Sequence, residues 1–226
     1  MNFAEWEPVY ERILSDFGYD RAADERARDV LAGYARPFDR SRLDDVADAT
    51  VAVAGAGPSL VGEVDRAASA DFVFAASTAA DVLRDAGVAV DVMVTDLDKN
   101  PETAAELSRR GVPVAVHAHG DNVAAIDRWL PEFDVDDVLA TTQARPVDAV
   151  VNPGGFTDGD RAAFLADELA AGGLRFVGWD FDDPSIDAAK RKKLAWAERL
   201  LAWLESRRDD RFDVLDGRRA AIEPIR

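Results

Sequence analysis

Cysteine is absent from the 226 residues. That removes disulfides, thiolate metal sites and cysteine nucleophiles together. Histidine is nearly absent, with only His117 and His119, too few for a multi-histidine zinc site. No apolar run reaches the ~18 residues of a membrane span. Met1–Asp16 carries Glu5, Glu7, Glu11 and Asp16 against Arg12, unlike a secretory or transit peptide. A cytoplasmic protein away from membranes is expected. Positive charge is in deficit, 27 Lys+Arg against 44 Asp+Glu, for a net −17. Such a surface repels nucleic acid.

What is there is apolar enough to fold: 48% hydrophobic residues exclude a disordered chain. The length suits one α/β domain with a small appendage. Aspartate outnumbers glutamate 32 to 12, and arginine outnumbers lysine 23 to 4. This balance is similar to halophilic, salt-accumulating cytoplasmic proteins, since in molar salt the Debye length falls to about 3 Å and the surface repels itself little. The scarce lysines gather in two places, Lys99 and the run Lys190-Arg191-Lys192-Lys193.

Phe3, Trp6, Tyr10, Ile13, Leu14 and Phe17 recur at helical spacing, so 2–17 reads as an amphipathic helix, with a second over 20–35. Together they suggest a helical N-terminal region, 1–48, before an α/β catalytic domain, 49–226. From Thr50 short apolar runs appear at 50–54, 72–76, 89–94, 113–117, 137–140, 148–151 and 174–178. Helical stretches at 59–69, 78–86, 101–110, 121–130 and 159–171 separate most of them. Strands alternating with helices predict βαβ units and a mainly parallel sheet flanked by helices. A long helix over 185–207 and a short hairpin around Asp216-Gly217 are expected to close the chain.

In open parallel sheets the loops after the strands build the site. Gly55-Ala56-Gly57-Pro58-Ser59-Leu60 follows the first strand and opens a helix. Its glycines permit a tight turn, its amides can face an anion, and Ser59 can cap the helix or touch a phosphate. A dinucleotide fingerprint wants a third glycine where Leu60 stands, and no Walker motif occurs. In Thr95-Asp96-Leu97-Asp98, two carboxylates can share one Mg²⁺, and Lys99 can meet a phosphate oxygen. In His117-Ala118-His119-Gly120-Asp121-Asn122, His119 suits a phosphate or proton-transfer role and Asp121 a further metal carboxylate. In Asn152-Pro153-Gly154-Gly155-Phe156-Thr157-Asp158-Gly159-Asp160-Arg161, Phe156 can stack on a flat ring. Asp158 there can cap a helix or accept a ring N–H. The lysine run reverses the local field as a triphosphate requires. Each segment alone also reads as an ordinary turn, cap or solvated patch.

Taken in order, these five segments resemble the archaeal 6-hydroxymethyl-7,8-dihydropterin pyrophosphokinases, over about residues 50–200. The fold of that family is similar to the catalytic domain of thiamine pyrophosphokinases. The resemblance implies diphosphate transfer from ATP to the pterin hydroxymethyl group with release of AMP, in folate or methanopterin-type cofactor biosynthesis. It implies Mg²⁺ on Asp96 and Asp98, with Asp121 near, and a catalytic part for Asp96, Asp98 and His119. Gly55, Gly57, Ser59, Lys99, Lys190, Lys192 and Lys193 are then candidates for ATP, and Asn152, Phe156 and Asp158 for the pterin. A thiamine pyrophosphokinase-like enzyme, a nucleotide-sugar glycosyltransferase-like enzyme and a non-catalytic nucleotide-binding protein stay open beside it, as does a homo-oligomer.

Overall fold

Parallel strands are buried on both faces, so they read as short, nearly continuous apolar runs bounded by helices. A computed structural model describes residues 1–225 and shows that pattern folded. Among the described residues six strands form one sheet: β1 (Thr50–Ala54), β2 (Phe72–Ala76), β3 (Val92–Thr95), β4 (Val114–Ala118), β5 (Val138–Thr142) and β6 (Gly173–Val177). All neighbours are parallel, in the order β5-β4-β3-β2-β1-β6. The helices are α1 (Phe3–Phe17), α2 (Arg21–Tyr34), α3 (Leu60–Ala68), α4 (Ala79–Asp85), α5 (Pro101–Arg109), α6 (Val123–Trp129), α7 (Asp158–Glu168) and α8 (Ala188–Arg208). Among the described residues no helix is long and apolar enough to cross a membrane.

Strand side chains alternate between two cores, as a two-residue period demands. Val51, Val53, Phe74, Val92, Val94, Leu139 and Phe176 enter one core, closed by α1, α7 and α8. Ala52, Ala54, Val73, Ala75, Met93, Val116 and Ala140 enter the other, closed by α2 to α6. The N-terminal helices divide between them. Trp6, Val9, Tyr10, Ile13 and Leu14 of α1 pack in the first core, Ala27 and Leu31 of α2 in the second. Residues 1–48 thus share both cores with 49–226.

Two expected elements differ. Residues 148–151 do not add a strand to the sheet. Val147 and Val150 close a tight turn on each other, Asp148 takes φ +48°, and Val151 makes one isolated bridge to Thr141. The terminal segment forms single 3₁₀ turns at Asp213–Leu215 and Arg219–Ala221 instead of a hairpin. Its backbone is pinned to α8 by side chains: Phe212 and Leu215 are fully buried, and Arg218 and Arg219 pair with Glu198 and Glu205 of that helix.

The chain leaves β1 toward α3 on one face and leaves β6 toward α8 on the other. That divergence opens the carboxyl edge of the sheet, where such folds hold ligands.

Candidate active site

The loops after all six strands, the α1–α2 turn and the starts of α7 and α8 line one cavity of about 480 Å³. Asp96, Asp98, Lys99, His119, Asp121, Phe156, Asp158, Lys190 and Lys193 all reach it, as do Gly55 and Gly57. Ser59, Asn152 and Lys192 do not line it.

At its floor, Leu97 takes φ +66° and folds the β3 loop so that Asp98 N donates to Asp96 Oδ1 at 3.3 Å. Asp96 Oδ2 lies 3.3 Å from His119 Nε2. Asn122 ties the two loops together, its Nδ2 donating to Asp96 O at 2.9 Å and His117 O at 2.7 Å. Asp158, the first residue of α7, is held by Arg161 Nη1 at 2.9 Å. Burial pushes the Asp96 carboxyl up, but His119, the Arg161 charge and the Asp98 hydrogen bond outweigh it and hold it well below the usual carboxylate range. Burial and the neighbouring Asp96 carboxylate push Asp98 up. Burial, then the Asp96 charge, raise Asp158 to about 7 in spite of Arg161. Three carboxylates, Asp96, Asp98 and Asp158, thus share the cavity floor with His119 and Arg161.

The histidines play different parts. His117 is 2% exposed, and its Nδ1 lies 3.1 Å from Thr141 Oγ1. Burial keeps it well below the usual histidine value, so it stays neutral. His119 alone reaches the cavity. Among the described residues no three His, Asp or Glu side chains converge as a ready metal cage. Asp24 Oδ1 accepts from Gly120 N at 2.7 Å, and the next residue, Asp121, is exposed at the cavity rim.

The glycine loop is arranged differently from the phosphate cradle expected. Gly55 N donates to Val177 O at 2.8 Å and Gly57 N to Gly178 O at 2.9 Å, so neither amide is free for a ligand. The glycines are needed because the chain after β6 passes so close. A Cβ on Gly55 would lie 2.6 Å from Gly178 O, and one on Gly57 2.2 Å from Asp180 Oδ2. Ser59 is likewise occupied, its N and Oγ donating to Asp180 Oδ2 at 2.9 and 2.8 Å. The chain's own carboxylate fills the start of α3.

The lysine run splits by helix geometry. Lys190 and Lys193 are three residues apart and share the cavity face. Lys192 points to α1, with Nζ 3.1 Å from Asp16 Oδ1 and 4.5 Å from the centre of the Phe17 ring. Asn152 staples its own loop, donating to Gln143 O and Ala144 O at 2.9 and 2.8 Å and accepting from Gly154 N at 2.9 Å. Phe156 touches the cavity but is 6% exposed and tilted against Phe17 at 5.1 Å. The cap of α7 is a Thr157–Asp160 capping box, which leaves Asp158 facing the site.

The sequence reading placed Arg161 and Trp179 in segments after strands without giving them a role, and did not single out Tyr19, Asp24 or Gln143; all five line the cavity. Arg161 carried a local signal, three residues after Asp158 at the start of a helix. The others reach the site only through tertiary packing.

Comparisons with known proteins show the family. The family described as 6-hydroxymethylpterin diphosphokinase MptE-like matches residues 29–185. A Methanothermobacter thermautotrophicus protein named 6-hydroxymethyl-7,8-dihydropterin pyrophosphokinase is 40% identical over 227 residues, covering 92% of this chain and 97% of its own length. A Pyrococcus furiosus protein of the same name is 40% identical over 224 residues, covering 91% and 95%. Another, from Methanocaldococcus jannaschii, is 30% identical over 241 residues, covering 94% and 99%.

Proposed function

The chain belongs to the MptE-like family of 6-hydroxymethylpterin diphosphokinases, and on that premise we propose that it transfers diphosphate from ATP to 6-hydroxymethyl-7,8-dihydropterin. In this reaction the hydroxymethyl oxygen attacks the β-phosphorus, the bond from that phosphorus to the α-phosphate oxygen breaks, and AMP leaves. Catalysis of this kind is mostly positioning and charge neutralisation. The observation that carries the reading is one cavity in which Asp96, Asp98 and Asp158 meet Lys99, Arg161, Lys190 and Lys193.

The donor set fits a hard divalent cation. Asp96 and Asp98 offer adjacent carboxylate oxygens, and the raised Asp98 carboxyl marks negative charge that a cation relieves. We assign Mg²⁺ to these two residues, where it would neutralise phosphate oxygens of ATP. Arg161, Lys190 and Lys193 bind the remaining phosphate oxygens through charge-assisted hydrogen bonds. His119, oriented by Asp96, takes the hydroxyl proton. We assign this reaction to the cytoplasm, where ATP is available, and to the synthesis of pterin cofactors.

The test is product analysis with ATP, Mg²⁺ and a panel of 6-hydroxymethyl-7,8-dihydropterin, thiamine and nucleotide-sugars. AMP should form in step with diphosphorylated pterin and with no other acceptor. ADP as the sole nucleotide product, or AMP formed only with thiamine, refutes the reading.

A further inference from the structure

Tyr19, Asp20, Ala23 and Asp24 build one wall of the cavity, although they precede the residues 29–185 matched by the family. Gly18, at φ +69°, ends α1 in the left-handed conformation, and Asp20 caps α2 by accepting from Ala22 N at 3.0 Å. Tyr19 is the corner between the two helices. Its ring stacks on Phe17, with centroids 5.2 Å apart and planes inclined by 21°. Tyr19 is nevertheless 38% exposed, one of two exposed large apolar side chains among the described residues, and the one at the cavity.

The turn is fixed in register with the loop that carries His119. Asp24 is buried, and its Oδ2 accepts from Tyr10 OH at 2.8 Å and Gln143 Nε2 at 2.7 Å, while Oδ1 accepts from Gly120 N at 2.7 Å. A Cβ on Gly120 would lie 2.8 Å from Ala23 Cβ, so α2 sits directly on that loop.

Charge decides what this wall can face. The α1–α2 turn and the ends of β4 and β5 bring Asp20, Asp24 and Asp121 to the cavity and neither lysine nor arginine, whereas all four cations, Lys99, Arg161, Lys190 and Lys193, come from the β3 loop, α7 and α8, where they stand among the acids of those segments. An acidic wall repels a triphosphate. It tolerates a neutral flat ring whose edge is rich in N–H donors, and the open face of Tyr19 offers that ring a stacking surface.

We propose that Tyr19 is the stacking platform for the pterin ring and that the α1–α2 turn, held by Asp24, sets the specificity for the acceptor substrate. This inference rests on the pterin diphosphokinase reading. It is tested by measuring equilibrium binding of 6-hydroxymethyl-7,8-dihydropterin and of ATP, separately, to the full chain and its variants. Tyr19→Ala should weaken pterin binding about tenfold, the worth of one aromatic stack, while ATP binding stays as in the wild type and Tm falls by only a few degrees with loss of the Phe17 stack. Tyr19→Phe, which keeps the ring, should restore most of the loss. If Tyr19→Ala binds the pterin as the wild type does, or loses ATP affinity instead, the inference is overturned while the functional reading stands. If the wild type neither binds nor diphosphorylates the reduced pterin, the functional reading itself fails, and this inference with it.

Discussion

Removing the Arg161 guanidinium tests the charge balance at the cavity floor. Arg161 and Asp158 form an ion pair at 2.9 Å whose side chains are 7% and 13% exposed. Taking one partner from a buried pair costs about 3–5 kcal/mol, because the other is left uncompensated. Here the cost is limited by protonation. Asp158 already stands at about 7, raised first by burial and then by Asp96, and losing Arg161 pushes it higher. An unfolded aspartate titrates near ~3.9. Between the two values the folded chain therefore holds a proton that the unfolded chain has lost. Stability from that proton is fully present below the unfolded value and is lost as pH rises through the folded one. In the wild type the loss should level off just above about pH 7. In Arg161→Met it should continue above pH 7, at about 1.4 kcal/mol per pH unit. Urea unfolding between about pH 6 and 9 in the presence of a chelator reads both curves, with the slope set by proton linkage. Adding Asp158→Asn to Arg161→Met should remove the extra slope. Curves for Arg161→Met and wild type that run parallel above pH 7 would refute the coupling.

Asp96→Asn should lower the rate of diphosphate transfer at least about 100-fold, with the fold intact by circular dichroism. A rate near that of the wild type, with an unchanged Mg²⁺ requirement, would remove Asp96 from the metal site. Lys193→Ala should weaken ATP binding even in molar salt, since short contacts to phosphate outlast screening. Lys192→Ala should leave ATP affinity alone and cost only about 0.5–1 kcal/mol of stability, and equal effects of the two on ATP would contradict their opposite directions. Gly57→Ala should destabilise by about 2 kcal/mol or more, because its Cβ would lie 2.7 Å from the Gly178 carbonyl as well as against Asp180. Gly62→Ala, inside α3 with nothing within 4 Å, should stabilise by about 0.5–1 kcal/mol. Thermal unfolding of the pair checks the contrast, and a neutral Gly57→Ala would count against the close approach.

The parallel sheet was legible because strands buried on both faces must be written as apolar runs, and helices at intervals force right-handed crossovers. Composition misled at 148–151, where Asp-Ala-Val-Val, after Val147, satisfies a strand pattern but Asp148 turns the chain. The site's location was legible from position alone, since Asp96, Asp98, His119 and Asp158 all follow strands or open a helix at the carboxyl edge. The direction in which side chains point was not. Whether Lys192 or Lys193 faces the cavity depends on where α1 docks against α8. That Gly55 and Gly57 spend their amides on the end of β6 and the residue after it is a contact between segments far apart in sequence, as at Ser59 and Asp180, 121 residues apart. Tyr19 carried no signal in the sequence, because nothing local says that the α1–α2 turn rests on the β4 loop.

The central claim is that diphosphate moves intact from ATP to the pterin. ATP labelled separately at the β- and γ-phosphorus tests it most directly. Both labels should enter the pterin product in equal amounts, with unlabelled AMP released one for one. Transfer of the γ label alone, with ADP left behind, would contradict the account.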